Sequence, residues 1–322
     1  MKPLVPALLG LGLVLALAGC GLGAGPAPTA VSVLVTREFG ARVVRAVPRP
    51  KVSGQETVMS LLLRNFPVTT RYGGGFVESI AGLSGGHEGG HPVDWFYYVN
   101  GVQAPKGAAS TDVHPGDHIW WDRHDWSETD EVPAVVGSYP EPFLNGIEGK
   151  RLPVQVACSS EAGAACREVT RRLQADGVPA AVSALGSGGG SEILRVLVGP
   201  WRQLSADSGA EPIQRGPRAS GVYAKFSGNG SDLVLLGADG QQTSLKGLDA
   251  GLVAATRASE QAPTWVVTGT NRAGVQLAAA DFDAESLDDH FAVAVVQSAA
   301  GLVPLPATAA SIESMPYLKG TG

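Results

Sequence analysis

An α+β chain in two successive folded parts is what this sequence predicts, on three observations. The first is a dense aromatic block: four of the six tryptophans and five of the six histidines fall between residues 87 and 126. The second is a single amphipathic helical pattern, Val58–Leu63, set among runs with strand alternation. The third is a regular exchange of apolar strand runs and helical runs after residue 152. At 322 residues the chain is long enough for two cores.

The elements follow in order. Val31–Thr36 alternates as a strand, Phe39-Gly40-Ala41 turns it, and Arg42–Val47 returns. Ser53-Gly54-Gln55-Glu56 fits a capping box, the serine accepting from the third helical amide while the glutamate reaches back. The helix it opens carries Val58, Met59, Leu61, Leu62 and Leu63. Val68–Tyr72, a Gly73–Gly75 turn and Phe76–Ile80 make further strands. Asn100-Gly101 closes the aromatic run Asp94–Val99 as a two-residue hairpin, a turn that needs positive φ at both positions. Pro115-Gly116-Asp117 then leads into Ile119, Trp120 and Trp121. One helix cradled by a mixed sheet is the β-grasp (ubiquitin-like) arrangement, and it is expected over residues 30–126.

The blocks Phe39-Gly40, the Val58-Met59-x-Leu61-Leu62 helix, Phe76-Val77-x-x-Ile80-x-Gly82-Leu83, Asp94–Gly101 and Pro115-Gly116-Asp117-x-Ile119-Trp120 occur in that order. Together they resemble the transcobalamin-like C-terminal domain family, catalogued mostly as a domain of unknown function in secreted and lipid-anchored bacterial proteins. The resemblance implies a small domain that, in the vertebrate cobalamin carriers, covers one face of the corrin ring beside a separate helical domain. No all-helical barrel is readable here. It also points to aromatic rings that stack on a planar ligand. The expected ligand-binding residues are Trp95, Tyr97, Tyr98, Asn100, Trp120, Trp121 and Trp126. Strand alternation offers the same rings a structural role, with Trp95, Tyr97 and Trp120 on one face and Phe96, Tyr98 and Trp121 on the other.

Two motifs tempt an enzymatic reading and fail chemically. His87-Glu88-Gly89-Gly90-His91 spells the zinc-protease signature, but that chemistry needs a helix, and this segment is glycine-rich and stopped by Pro92. The histidines at 87, 91, 114, 118 and 124 read as solvated loop residues rather than as a metal set. In Trp121–Trp126, His124 lies between acids, but no nucleophile is placed near it. No catalytic residues, metal ligands or required cofactor are expected.

Residues 127–151 shift to Glu, Pro and Gly and read as a linker, with Tyr139, Phe143 and Leu144 as apolar anchors. The second part, residues 152–303, is expected as an α/β domain with β-α-β-β-α-β order. Its strands are Leu152–Ala157, Val178–Leu185, Ile193–Val198 and Gly221–Phe226, with a helix from Glu161 to Ala175. Arg195–Trp201 in this order faintly resembles the sporulation-related repeat, a peptidoglycan-binding module. Further strands are expected at Leu233–Gly237, Gly251–Thr256, Pro263–Gly269 and Phe291–Val296. A helix is expected over Asn271–Ala280, and the glycine loop before it reads as a tight turn. The tail from Pro304 to residue 322 reads as disordered.

The ends carry the localisation. Lys2, the apolar run Leu8–Leu17 and Leu17-Ala18-Gly19-Cys20 form a secretory signal over residues 1–20 that resembles a bacterial lipobox. Cys20 is then the lipidated first residue of the mature chain, and residues 21–29 are a flexible tether. Cys158 and Cys166 remain, close enough in sequence for a disulfide in an oxidising compartment; two free thiols or a metal pair are the alternatives. A net charge of −6, with no stretch concentrating Lys and Arg, excludes a nucleic-acid binder. The expected function is capture of a small molecule, cobalamin-like as the resemblance implies, for a membrane importer. The rival is an envelope module that binds a protein or cell-wall polymer.

Overall fold

The computed structural model describes residues 28–259, 261–297 and 301–315. The signal, Cys20 and tether residues 21–27 lie outside the described residues. The architecture is mixed α+β, mostly sheet with few helices.

In the first part the strands are β1 (Ser32–Arg37), β2 (Arg42–Val47), β3 (Val68–Arg71), β4 (Phe76–Ile80), β5 (Leu83–Ser84), β6 (Gly86–Glu88), β7 (His91–Val99), β8 (Val102–Gln103) and β9 (His118–Asp125). Helix α1 (Val58–Asn65) follows β2. The main sheet runs β2-β1-β9-β7-β6, with β8 pairing β7, while β3-β4-β5 form a small separate sheet. β1 and β9 are parallel at the centre, and the flanking pairs are antiparallel. The N-cap of α1 lies four residues later than the sequence suggests, at Thr57 instead of Ser53. Thr57 is the N-cap and shares a capping box with Ser60, whereas Glu56 takes the Ser53 amide at 2.9 Å. Ser53 and Thr57 both offer a capping hydroxyl with a partner three residues on, and the backbone turns helical only after the second.

The Asn100-Gly101 turn forms as expected, with φ of 53° and 75°, and folds β8 back onto β7. The register between β7 and β9 pairs Tyr97 with Trp121 and Tyr98 with Trp120. Directly paired residues share a face. Trp95, Tyr97 and Trp121 therefore point toward α1, and Phe96, Tyr98 and Trp120 point the other way. This corrects the expectation that Trp120 joins Trp95 and Tyr97, because the register between two distant strands is not contained in either strand's own alternation.

The second part contains β10 (Val154–Cys158), α2 (Gly163–Ala175), β11 (Ala180–Ala184), β12 (Leu194–Pro200), α3 (Trp201–Leu204), α4 (Glu211–Gln214), α5 (Pro217–Ser220), β13 (Ala224–Ser227), β14 (Asp232–Leu236) and β15 (Gln242–Leu245). It continues with β16 (Ala250–Thr256), β17 (Thr264–Gly269), α6 (Arg272–Ala280), α7 (Ala284–Leu287), β18 (Ala292–Val296), β19 (Leu302–Leu305) and α8 (Ala309–Glu313). A seven-stranded sheet runs β11-β10-β12-β17-β16-β18-β19, parallel through β17 and antiparallel beyond it. The strand expected at Gly221–Phe226 does not join it. It opens a separate three-stranded sheet, β13-β14-β15.

The tail is also different from the expectation. Residues 302–305 form the edge strand β19, and Thr308 caps α8. Val303, Leu305, Ala307 and Met315 are buried, so this spaced apolar set fills core rather than trailing in solvent. Pro304 is tolerated because an edge strand leaves one row of amides unpaired anyway. Residues 316–322 lie outside the described residues.

Three cores result. One lies between α1 and the first sheet, with Val33, Val35, Leu61, Leu62, Ile119 and Trp121. A second lies under α2 and α6, where the linker's Tyr139 and Phe143 pack on Trp265 and Phe282. The third joins the two parts: Leu34, Phe39, Tyr98 and Trp120 meet Val132, Val135, Tyr223 and Phe291. Cys158 and Cys166 form a disulfide between β10 and α2, with Cα atoms 6.0 Å apart.

Candidate functional site

The strands β7 and β9 bring most of the expected ligand-binding residues together, but not to a surface. Trp95, Tyr98, Asn100, Trp120 and Trp121 are all buried. Tyr97 is partly buried, stacks on Trp121 at 4.8 Å and binds Thr111 through its hydroxyl. Trp126 is 38% exposed, at the end of β9. Rings that exclude water from a core cannot also stack on a ligand without opening that core. Asn100 is committed as well. Its amide donates to Asp117 at 2.9 Å and to the Gly146 carbonyl at 2.8 Å, and its oxygen accepts from the His118 amide. It ties the hairpin to the segment read as a linker.

The polar centre of the junction corrects the reading of His124 as a solvated loop residue: it lies on β9 and is buried together with Asp122, because the second part covers that face of the sheet. Asp122 is fully buried and accepts from the amides of Phe39 and Gly40 at 3.1 and 2.9 Å. It also takes the Thr36 hydroxyl at 2.5 Å and meets His124 Nδ1 at 2.7 Å. The Trp120 indole donates to the same Thr36 hydroxyl at 2.7 Å. The His124 ring is stacked between Phe39 and Phe96, with centroids 4.5 and 4.4 Å away. The alternation of β9 was the available signal: Trp120, Asp122 and His124 are spaced by two, so they share one face.

His124 also lines a recess of about 230 Å³, with Phe39, Val93, Arg123 and Asp125 from the first part and Ala238 from the second. An adjoining recess of about 450 Å³ shares His91, Asp125 and Ala238 with it or across it, and extends along Asp239, Gln241, Thr308 and Ile312. His91 faces Asp125 at 3.2 Å. The groove thus runs between the ends of β7 and β9 and the turn after β14. Its walls offer Asp125 and Asp239, the ion-paired carboxylates Glu38 and Glu88 with Arg123, two imidazoles and little exposed aromatic surface.

Residues 55–125 match the family model described as a domain of unknown function (DUF4430). No curated protein and no solved structure matches the chain. The matched stretch spans α1 through β9, so it includes Asp122 and His124.

The remaining candidates are placed as follows. His87 and His91 sit on the two strands of a hairpin, Glu88 opposite His91, so the protease-like letters do not form a helix. His114 neighbours Asp117, and burial pushes His118 down to about 4. Among the described residues, no three metal-ligating side chains converge. The glycine loop before α6 is the tight turn expected: Asn271 caps the helix by accepting from Gly274, and a Cβ on Gly269 would lie 2.5 Å from Gly274. Burial, with Asp288 adding to it, raises the Asp289 carboxyl to about 6.

Proposed function

We propose that this chain is a non-catalytic binding protein, held on the outer face of a membrane through Cys20, that captures a small molecule in the groove between its two parts. The observation that carries this reading is the pair of adjoining recesses walled by both parts. Binding sites favour concave junctions between packed units. The first part reads as a β-grasp domain, α1 crossing a sheet whose central strands β1 and β9 are parallel. This topology and the family match are consistent with the transcobalamin-like resemblance.

The lining narrows the ligand's chemistry. Carboxylates and imidazole edges suit a neutral or cationic molecule rich in hydrogen-bond donors. The carboxamide rim of a corrin offers such donors, so a cobalamin-like ligand would meet this groove by its edge and not by stacking on the buried aromatic strands. Delivery to a membrane importer is the corresponding role.

The test is calorimetric titration of residues 21–322 with cobalamin and cobinamide. The tail must be kept, because β19 and α8 line or support the groove. The expected outcome is binding that is weakened at least about tenfold in His91→Ala and Asp239→Ala variants, roughly the loss of one charge-assisted hydrogen bond, with unchanged melting temperature. Absence of heat with both ligands would sink the cobalamin-like reading. A second reading, an envelope module gripping a protein or polymer, draws on a different feature. Tyr72 is 86% exposed at the tip of the β3–β4 hairpin and lies 6.3 Å edge-on from the exposed Phe76 ring.

A further inference from the structure

The chain is acidic overall, yet between residues 28 and 66 six basic residues stand against two acidic ones. Spread along the sequence they form no obvious stripe, and the expectation above was that none exists. The β1–β2 hairpin makes one. β2 is the edge strand of its sheet, and Arg42, Val43, Arg45, Arg49 and Lys51 on it and just beyond it are exposed.

The stripe is not uniform. At the far end of the hairpin, Arg37 and Arg42 share Glu38, at 3.5 and 2.8 Å. At the near end, Glu56 is taken by Arg64. Among the described residues, no carboxylate pairs with Arg45, Arg49 or Lys51. Arg45 lies 5.4 Å above the Phe66 ring, and the Lys51 backbone is pinned to the Asn65 side chain by two hydrogen bonds. This unpaired end is where the chain enters the fold. Val47 pairs with Val33, and the Thr29 carbonyl is held by the Gly116 amide.

Distance completes the argument. Seven residues, 21–27, separate Cys20 from the described chain, and a fully extended run of that length spans about 25 Å at most. A lipid on Cys20 therefore keeps the start of β1, and with it Arg45, Arg49 and Lys51, close to the headgroups. We infer that this end of the first sheet is a docking surface for anionic phospholipid headgroups, which fixes how the protein stands on the membrane. The inference rests on the anchoring proposed for Cys20. It orients the body so that the sheet end bearing Ser32 and His118 faces the bilayer. The opposite end, where β9 finishes and the ligand groove lies, then faces away.

The experiment is flotation of residues 20–322 carrying Cys20→Ser, so that no lipid contributes, with vesicles of phosphatidylglycerol and phosphatidylcholine or of phosphatidylcholine alone. Each basic residue at an anionic surface strengthens binding about fivefold, so the triple variant Arg45→Gln/Arg49→Gln/Lys51→Gln is expected to lose on the order of a hundredfold in partitioning. Raising salt until the Debye length falls to about 3 Å should abolish binding by the parent protein. A control, Arg171→Gln/Arg202→Gln/Arg215→Gln, removes equal charge from exposed side chains of the second part and should keep its partitioning. Equal losses in both triple variants would overturn the proposal. So would no flotation with the anionic vesicles, including the case where a soluble glycerol-phosphate polymer binds instead. Intact mass of the N-terminal peptide from membranes reports separately whether Cys20 is acylated, so loss of the anchor reading is distinguishable from loss of the surface.

Discussion

Trp120 and Trp126 lie six residues apart and were assigned the same ligand-binding role from sequence, yet they answer to different physics. Trp120 is fully buried, donates to Thr36 and packs edge-on to Phe291 at 5.2 Å. Trp120→Ala should destabilise the protein by about 3–5 kcal/mol, the cost of an unfilled aromatic site. Trp126→Ala should cost less than about 0.5 kcal/mol. Urea denaturation of the two variants reads the difference, and similar losses would contradict the burial described here. Two titrating groups make a second contrast. The folded-state pKa of His118 is pushed down to about 4 from 6.5, so its neutral form is favoured by folding. Its contribution is present above pH 6.5 and lost as pH falls toward 4. Asp289 is shifted the other way, up to about 6 from 3.8, so its contribution is present below about 3.8 and lost as pH rises to 6. Asp289→Asn should therefore raise stability at pH 7, on the order of 1–2 kcal/mol after allowing for its partial exposure, and change little at pH 4. Thermal melts across that range would show it. A gain that is as large at pH 4 as at pH 7 would refute the assignment.

At the level of elements, the turn after β1 carries the junction. Gly40 has φ of 85°, and a Cβ there would lie 1.8 Å from the Asp289 carbonyl oxygen. Its amide also feeds Asp122. Gly40→Ala meets both a backbone conformation that L side chains avoid and a rigid backbone neighbour, so it should cost at least about 3 kcal/mol. Alanine at Gly73, equally left-handed with open space around its Cβ position, should cost only about 1 kcal/mol. Comparing melting temperatures of the two variants separates strain alone from strain plus collision. The elements themselves were largely legible: the Asn100-Gly101 turn, α2, α6 with its Asn271 cap and the strands of the second part other than β15 and β19 are near their expected spans. Local turn chemistry and periodicity are carried by neighbours in sequence, which is why they can be read there. The α1 cap moved by four residues, from Ser53 to Thr57, because both offer a capping hydroxyl, and only packing decides between them.

For the whole molecule, the shared core has a direct consequence. Residues 30–126 expressed alone would expose Leu34, Phe39, Phe96, Tyr98 and Trp120, which in the intact chain pack against the second part. A patch of that composition is expected to bind a hydrophobic dye and self-associate. The intact chain should unfold in calorimetry without an early transition for the first part. A monomeric, dye-silent fragment with a cooperative melt would show that the two cores are independent. The same packing explains why the expected ligand face is absent. A sheet with two apolar faces must cover both, and the second part supplies the other cover.

What this sequence determined by itself is its local grammar: which residues turn, which alternate, which cap, and that Cys158 and Cys166 lie within reach of each other. It also marked the stretch Asp94–Trp126 as aromatic strands joined by turns, and β7 and β9 pair there. Only the tertiary structure decided what those strands face. Strand register set Trp120 beside Tyr98 rather than Trp95, and the tail after Leu302 became a strand because β18 offered it an edge. The groove and the buried Thr36–Asp122 hydrogen bond join residues far apart in sequence. Such sites depend on long-range pairing, and no window of neighbouring residues contains that information.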